Sequence, residues 1–274
     1  MAVWHKTLTQ VEQPAKSFEA GAVGITPWVQ VALVPVTLAA FVGLWAMFVR
    51  LMGYSSFILP GPERVWVRFL TLTADGTLER HTAVTLTEVL AGLAVGTCIA
   101  LVLGYLLSRS RTVERLVAPY IVASQSIPIV AIAPLLVIWF GAGATSKIIV
   151  SALIVFFPIL ISCIAGLRSA EPDLRDLMRA LAATRWQTFS KLELPAAMPM
   201  LLSGLKVGAT LSVIGAVVGE FVGADRGLGF LVKQGQGLYD TPLMFVAVIT
   251  LVAIAMSLYG LVALAEKRLL AWRQ

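Results

Sequence analysis

Six stretches of this sequence run long and nearly free of charge: about 31–49, 82–107, 117–140, 147–167, 200–219 and 243–265. A hydrocarbon layer of ~30 Å is crossed by roughly 20 helical residues, and inside lipid a backbone has to satisfy its own hydrogen bonds. The alternating short segments that would build a barrel are absent from the sequence. The expected fold is all-α, a bundle of about six transmembrane helices. Composition agrees: 58% of residues are hydrophobic and 13% charged, against ~25% charged in a soluble domain.

The basic residues orient the bundle. Thirteen fall on one side: Lys6 and Lys16, then Arg109, Arg111 and Arg115, then Arg168, Arg175, Arg179, Arg185 and Lys191, and last Lys267, Arg268 and Arg273. Seven fall on the other: Arg50, Arg64, Arg68, Arg80, Lys147, Arg226 and Lys233. Lys206 lies within the fifth stretch. The positive-inside rule then places both termini and the loop 168–195 in the cytoplasm. Residues 1–27 carry Lys6, Glu12, Lys16 and Glu19 without an apolar core, which reads as a polar tail and not a secretory signal. Residues 28–274 form the membrane domain. The net charge of +6 sits at helix ends and makes no stripe for nucleic acid. Cys98 and Cys163 lie apart in apolar runs, and His5 and His81 have no ligand neighbours, so no metal site is expected.

Gly92 and Gly96, Gly204 and Gly208, and Gly215 and Gly219 follow the small-xxx-small spacing that lets helix backbones approach. Pro128 and Pro134 should bend the third span, since each removes a backbone donor. A bent, glycine-rich bundle can enclose a passage or simply pack tightly. Glu88 and Lys206, each a few residues inside a span, can snorkel or pair. Ser124 and Gln125 stand just before Pro128, and their side chains can bond between helices or meet a solute.

The most informative stretch is the loop 168–195. Pro172 suits a first helical turn, and Leu174, Leu177, Met178, Leu181 and Ala182 then share one helical face. Thr184 and Gln187 have capping-box spacing and start a second short helix that presents Trp186 and Phe189, with Arg185 and Lys191 beside them; Pro195 ends it. Two aromatics on a short cytosolic helix suit a partner's groove or, alternatively, the membrane surface.

This loop resembles the pattern E-A-A-x3-G-x9-I-x-L-P of binding-protein-dependent ABC importer permeases. Leu192-Glu193-Leu194-Pro195 matches its end, Ala182 takes the glycine position and Asp176 the glutamate position, with Leu177 and Met178 for the two alanines. Ala for Gly is a mild change in a helix. Ile138-Trp139-Phe140-Gly141-Ala142-Gly143, Gly204-Leu205-Lys206, Gly219-Glu220-Phe221 and Gly227-Leu228-Gly229 look like the nitrate/sulfonate/taurine branch. The resemblance covers the chain from about Trp28 onward.

The resemblance implies a type I importer permease fold in a bacterial inner membrane. It implies two permease copies lining the pathway, an ATPase subunit dimer that binds ATP and Mg, and an extracytoplasmic binding protein. Asp176, Ala182, Arg185, Trp186, Phe189 and Pro195 become the ATPase-coupling residues, and the chain itself holds no cofactor and catalyses nothing. Thr85, Glu88 and Gly92, with Ser124 and Gln125, look like the subgroup carrying hydroxymethylpyrimidine or riboflavin, which marks Ser124, Gln125 and Glu88 as substrate-pathway residues. Sulfonate, taurine or nitrate is the alternative cargo. An ion-coupled secondary transporter would use Glu88 and Lys206. A membrane enzyme would need a catalytic constellation that the sequence lacks. The segment Gly141 to Lys147 only mimics a phosphate loop, because Ser146 stands where that motif needs glycine.

Overall fold

A computed structural model describes residues 27–271; the tail expected before residue 27 lies outside the described residues, as do Lys6, Lys16 and Arg273. No strand occurs among the described residues. The first helix, α1 (Pro27–Met52), keeps Leu38, Phe41 and Leu44 exposed, as a lipid-facing helix must.

From Val49 onward the chain is one compact unit. It opens with a short helix, α2 (Pro62–Ala74), followed by α3 (Thr77–Ser108). The stretch expected as one third span is two helices, α4 (Arg111–Gln125) and α5 (Ile129–Phe140), which meet at 90°. Pro128 takes ψ 113 at the break, outside the helical region, so the chain turns there. Pro134, also expected to bend the span, stays inside α5 and removes only one helical hydrogen bond. Then come α6 (Ala144–Arg168), α7 (Pro172–Ala180), α8 (Arg185–Thr188), a π-helical turn over Phe189–Glu193, α9 (Leu194–Gly223), α10 (Leu228–Leu238) and α11 (Thr241–Leu269). Five described helices are long and apolar enough to cross a membrane, or six if α4 and α5 count as one broken span.

Pro195 does not end the short helix, as the sequence suggests. The chain is helical without interruption from Arg185 to Gly223. A proline in an α-helix lacks its N–H and strikes the carbonyl four residues back. The π turn just before it widens the helix, Leu194 donating to the Phe189 carbonyl five residues earlier, and so absorbs the misfit.

The core is organised on α6, which packs between α3 and α9. Ala100 and Leu107 of α3 close on Val155, Ile159 and Leu160 of α6, while Ala133 and Leu136 of α5 close on Val150. Both faces of α6 are approached through glycine. A Cβ on Gly96 would lie 2.7 Å from the Ala152 carbonyl oxygen, and one on Gly215 would lie 2.5 Å from the Ser151 Cα. The paired glycines therefore mark backbone contact, and Ser151 Oγ exploits it by donating to the Ser212 carbonyl at 3.0 Å.

Candidate functional site

Polar residues gather at the two ends of this bundle. At the end formed by the loop 168–195, α7 begins at Pro172 and stops in a Schellman turn. Ala183 N–H donates to the Met178 carbonyl and Ala182 N–H to that of Arg179, both at 2.9 Å. This turn sets Ala182 at φ +50. The structure thereby corrects the view of Ala182 as an ordinary helical position, because it lies past the end of α7 in left-handed backbone that a Cβ disfavours by roughly 1–2 kcal/mol. Ala182→Gly should accordingly raise the melting temperature by about 2–4 °C; an unchanged or lowered melting curve would contradict the strain.

Past the turn, Thr184 Oγ1 accepts from Gln187 N–H at 3.2 Å while Thr184 N–H donates to Gln187 Oε1 at 2.8 Å, completing a capping box. The two aromatics that follow part company. Trp186 is 72% exposed. Phe189 is half-buried against Cys163, Leu167 and Ala197 and stands edge-on to the Tyr105 ring. The expectation that both project as a knob is corrected: the wide π turn carries Phe189 inward. Leu174, Leu177 and Leu181 are exposed, so the loop's outward apolar surface is these three leucines and Trp186. Asp176 pairs with Arg179 at 2.7 Å, both well exposed, and Arg185 is exposed beside Trp186.

Charged side chains tie this loop to the bundle. Arg109, at the end of α3, pairs with Glu193 at 3.0 Å and lies over the Tyr105 ring. Arg168 pairs with Glu114 and donates to the Leu107 carbonyl, and Arg175 donates to the Leu167 carbonyl at 2.8 Å. Sequence reasoning missed these anchors because it used the arginines only for topology. The one available signal was Glu193, a charge placed between the leucines of Leu192-Glu193-Leu194-Pro195.

At the opposite end, Glu220 of α9 meets the turn that starts α10. Thr85 Oγ1 donates to Glu220 Oε1 at 2.6 Å and itself accepts from Leu228 N–H at 2.7 Å. Gly229 N–H donates to Glu220 Oε2, and Gly227 N–H donates to His81 Nδ1 at 3.0 Å. A carboxylate over the first amides of a helix is favourably placed. Gly227 is at φ +116, and a Cβ at Gly229 would lie 2.7 Å from Glu220 Oε2. The motifs Gly219-Glu220-Phe221 and Gly227-Leu228-Gly229 are thus the two halves of one clasp. Beside it, Lys147 Nζ pairs with Glu88 Oε1 at 3.2 Å, both nearly sealed from solvent.

The pathway residues do not form one group. Glu88 is 1% exposed and paired with Lys147. Ser124 donates to its own helix at the Ile121 carbonyl, 2.8 Å away. Gln125 is exposed at the last position of α4, at the 90° break, and its side chain makes no hydrogen bond among the described residues. Lys206, the other candidate for ion coupling, pairs with Glu266 at 2.7 Å. No group of potential metal ligands occurs among the described residues.

Residues 96–271 match the family described as binding-protein-dependent transport system inner membrane component. A riboflavin transport system permease protein of Chloroflexus aurantiacus is 45% identical over 87% of this chain and 89% of its own length. A formylaminopyrimidine transport permease protein of Halalkalibacterium halodurans is 34% identical over 84% and 92%. A taurine transport system permease protein of Escherichia coli is 35% identical over 89% and 90%. Among solved structures, an inward-facing methionine ABC transporter superposes with a TM-score of 0.64 at 22% identity, covering 72% of this chain and 98% of the other.

Proposed function

This chain belongs to the binding-protein-dependent transport system inner membrane components, and on that premise we propose that it passes a neutral heterocycle, riboflavin or a hydroxymethylpyrimidine-like precursor, into the cell. It is the permease subunit of an ABC importer in the bacterial inner membrane and is not itself an enzyme. In this reading two copies enclose the pathway, with the loop 168–195 and both termini cytoplasmic. An ATPase dimer carrying ATP and Mg grips Leu177, Leu181 and Trp186 of each copy, and a binding protein delivers cargo on the far side. ATP-driven closure of the ATPases draws the two loops together, and the rigid α3, α6 and α9 packing passes that displacement to the spans.

The observation that carries the cargo assignment is the high identity to a permease named for riboflavin, over nearly the full length of both chains. The interior agrees with it. Lys147 and Lys206 are already matched, by Glu88 and by Glu266, so neither offers a free charge to a sulfonate. Gln125, exposed at the α4–α5 break, carries both donors and an acceptor for a ring edge. The relative named for taurine supports the second reading.

The test is uptake of labelled riboflavin, hydroxymethylpyrimidine, taurine and nitrate by the reconstituted transporter. Heterocycle uptake should dominate, and Gln125→Ala should lower it about tenfold, the effect of losing roughly 1–1.5 kcal/mol of hydrogen bonding. Robust taurine or nitrate uptake without any heterocycle transport would overturn the cargo assignment. A fully active Gln125→Ala transporter would remove that residue from the pathway.

A further inference from the structure

Two adjoining hollows at the coupling-loop end have complementary chemistry. One is an apolar groove of about 520 Å³ between α3, α6 and α9. Its lining runs from Thr97 to Leu106 on α3 and from Leu194 to Leu205 on α9, about 13 and 16 Å of helix at 1.5 Å per residue. That is close to one leaflet, half of a hydrocarbon core of ~30 Å. The other is a cavity of about 640 Å³ bordered by Arg109, Arg175, Arg179 and Arg185. Tyr105 lines both, and the helical segment 188–194 supplies Thr188 and Glu193 to the cavity and Phe189 and Leu194 to the groove.

The charges around the cavity do not cancel. Glu193 answers Arg109 and Asp176 answers Arg179, which leaves Arg175 and Arg185 unmatched by a carboxylate among the described residues. Arg175 borders the cavity with one guanidinium nitrogen donating to the Leu167 carbonyl and its Nε enclosed without a partner. An occupant has to be anionic at one end and apolar for about one leaflet beyond it. A soluble phosphate lacks the tail, and an acidic protein segment lacks an acyl-like extension.

We propose that an anionic glycerophospholipid of the leaflet on the coupling-loop side occupies this site, with its phosphate among the arginines and one acyl chain along the groove. Because Arg175 and Arg185 belong to the loop and Tyr105 and Leu101 to α3, such a lipid braces the coupling loop against the bundle. The inference is independent of the cargo.

The experiment uses the full-length permease in nanodiscs of phosphatidylcholine, with phosphatidylglycerol titrated in and binding followed by native mass spectrometry and thermal melting. Phosphatidylglycerol should bind and raise the melting temperature, while added phosphatidylcholine and free inorganic phosphate should do neither. Arg175→Gln with Arg185→Gln should weaken phosphatidylglycerol binding about 30-fold, at the usual contribution of a basic residue near an anionic headgroup. Leu101→Trp, which fills the groove and leaves every arginine in place, should weaken it as well. Equal binding of the two lipids, or stabilisation by inorganic phosphate alone, would overturn the proposal. So would a Leu101→Trp chain that loses self-association on size exclusion yet still binds phosphatidylglycerol, since the groove would then belong to a second copy.

Discussion

Lys147→Met alone should leave little folded permease to purify, and adding Glu88→Gln should bring most of it back. The ammonium and carboxylate are 3.2 Å apart, with side chains 4% and 2% exposed. A charge that far from water is tolerated only with its partner, and removing one member of a buried pair costs about 3–5 kcal/mol. Replacing both members by neutral groups is often close to neutral, because the desolvation cost disappears with the charges. The clasp sharpens the expectation. Glu220 approaches the same lysine and Glu88, so Lys147→Met strands two carboxylates beside one another. Once Glu88 is also neutral, Glu220 keeps its hydrogen bonds from Thr85 and Gly229. Fluorescence-detected size exclusion of membranes expressing each variant reads the result directly. A monodisperse single variant with wild-type melting would mean that Lys147 is not held as an ion pair in the membrane.

The same region shows what the sequence makes legible. Gly92, Gly96, Gly204, Gly208, Gly215 and Gly219 can be read as contact glycines because small residues at a spacing of four share a helix face, and each does meet α6. The helical bundle and the membership of an importer-permease family are legible for the same reason, since both rest on local patterns. The short helices α2 and α10 escape notice because neither is long enough to register as a span. The clasp escapes as well. Its parts lie 135 and 146 residues apart in pairs such as Thr85 with Glu220 and His81 with Gly227, and no local periodicity connects them. Ala182 and Pro195 depart from the sequence reading for a different reason: a Schellman turn puts Ala182 in left-handed backbone, and the π turn just before Pro195 lets the helix run on through a residue that usually ends one.

The loop's outward face carries the second large effect. Trp186 is 72% exposed, with Leu177 and Leu181 exposed on the preceding helix and turn. The inner side of the loop is fixed by Arg109 to Glu193 and by Phe189 against Tyr105. A large aromatic held out from a rigid base is the kind of residue whose truncation costs an interface 2 kcal/mol or more, about 30-fold in affinity. Trp186→Ala should therefore insert and melt like wild type, yet retain about 30-fold less ATPase on co-purification and lose ATP-driven uptake. Phe189→Ala should behave in the opposite order, lowering the melting temperature first, because its ring fills space against Leu167 and Ala197 within the permease. Comparing the two variants separates docking from folding, which a double substitution would blur. Wild-type ATPase retention and transport by Trp186→Ala would move the coupling surface elsewhere on the loop, and a melting curve lowered as far as that of Phe189→Ala would make Trp186 part of the permease's own fold.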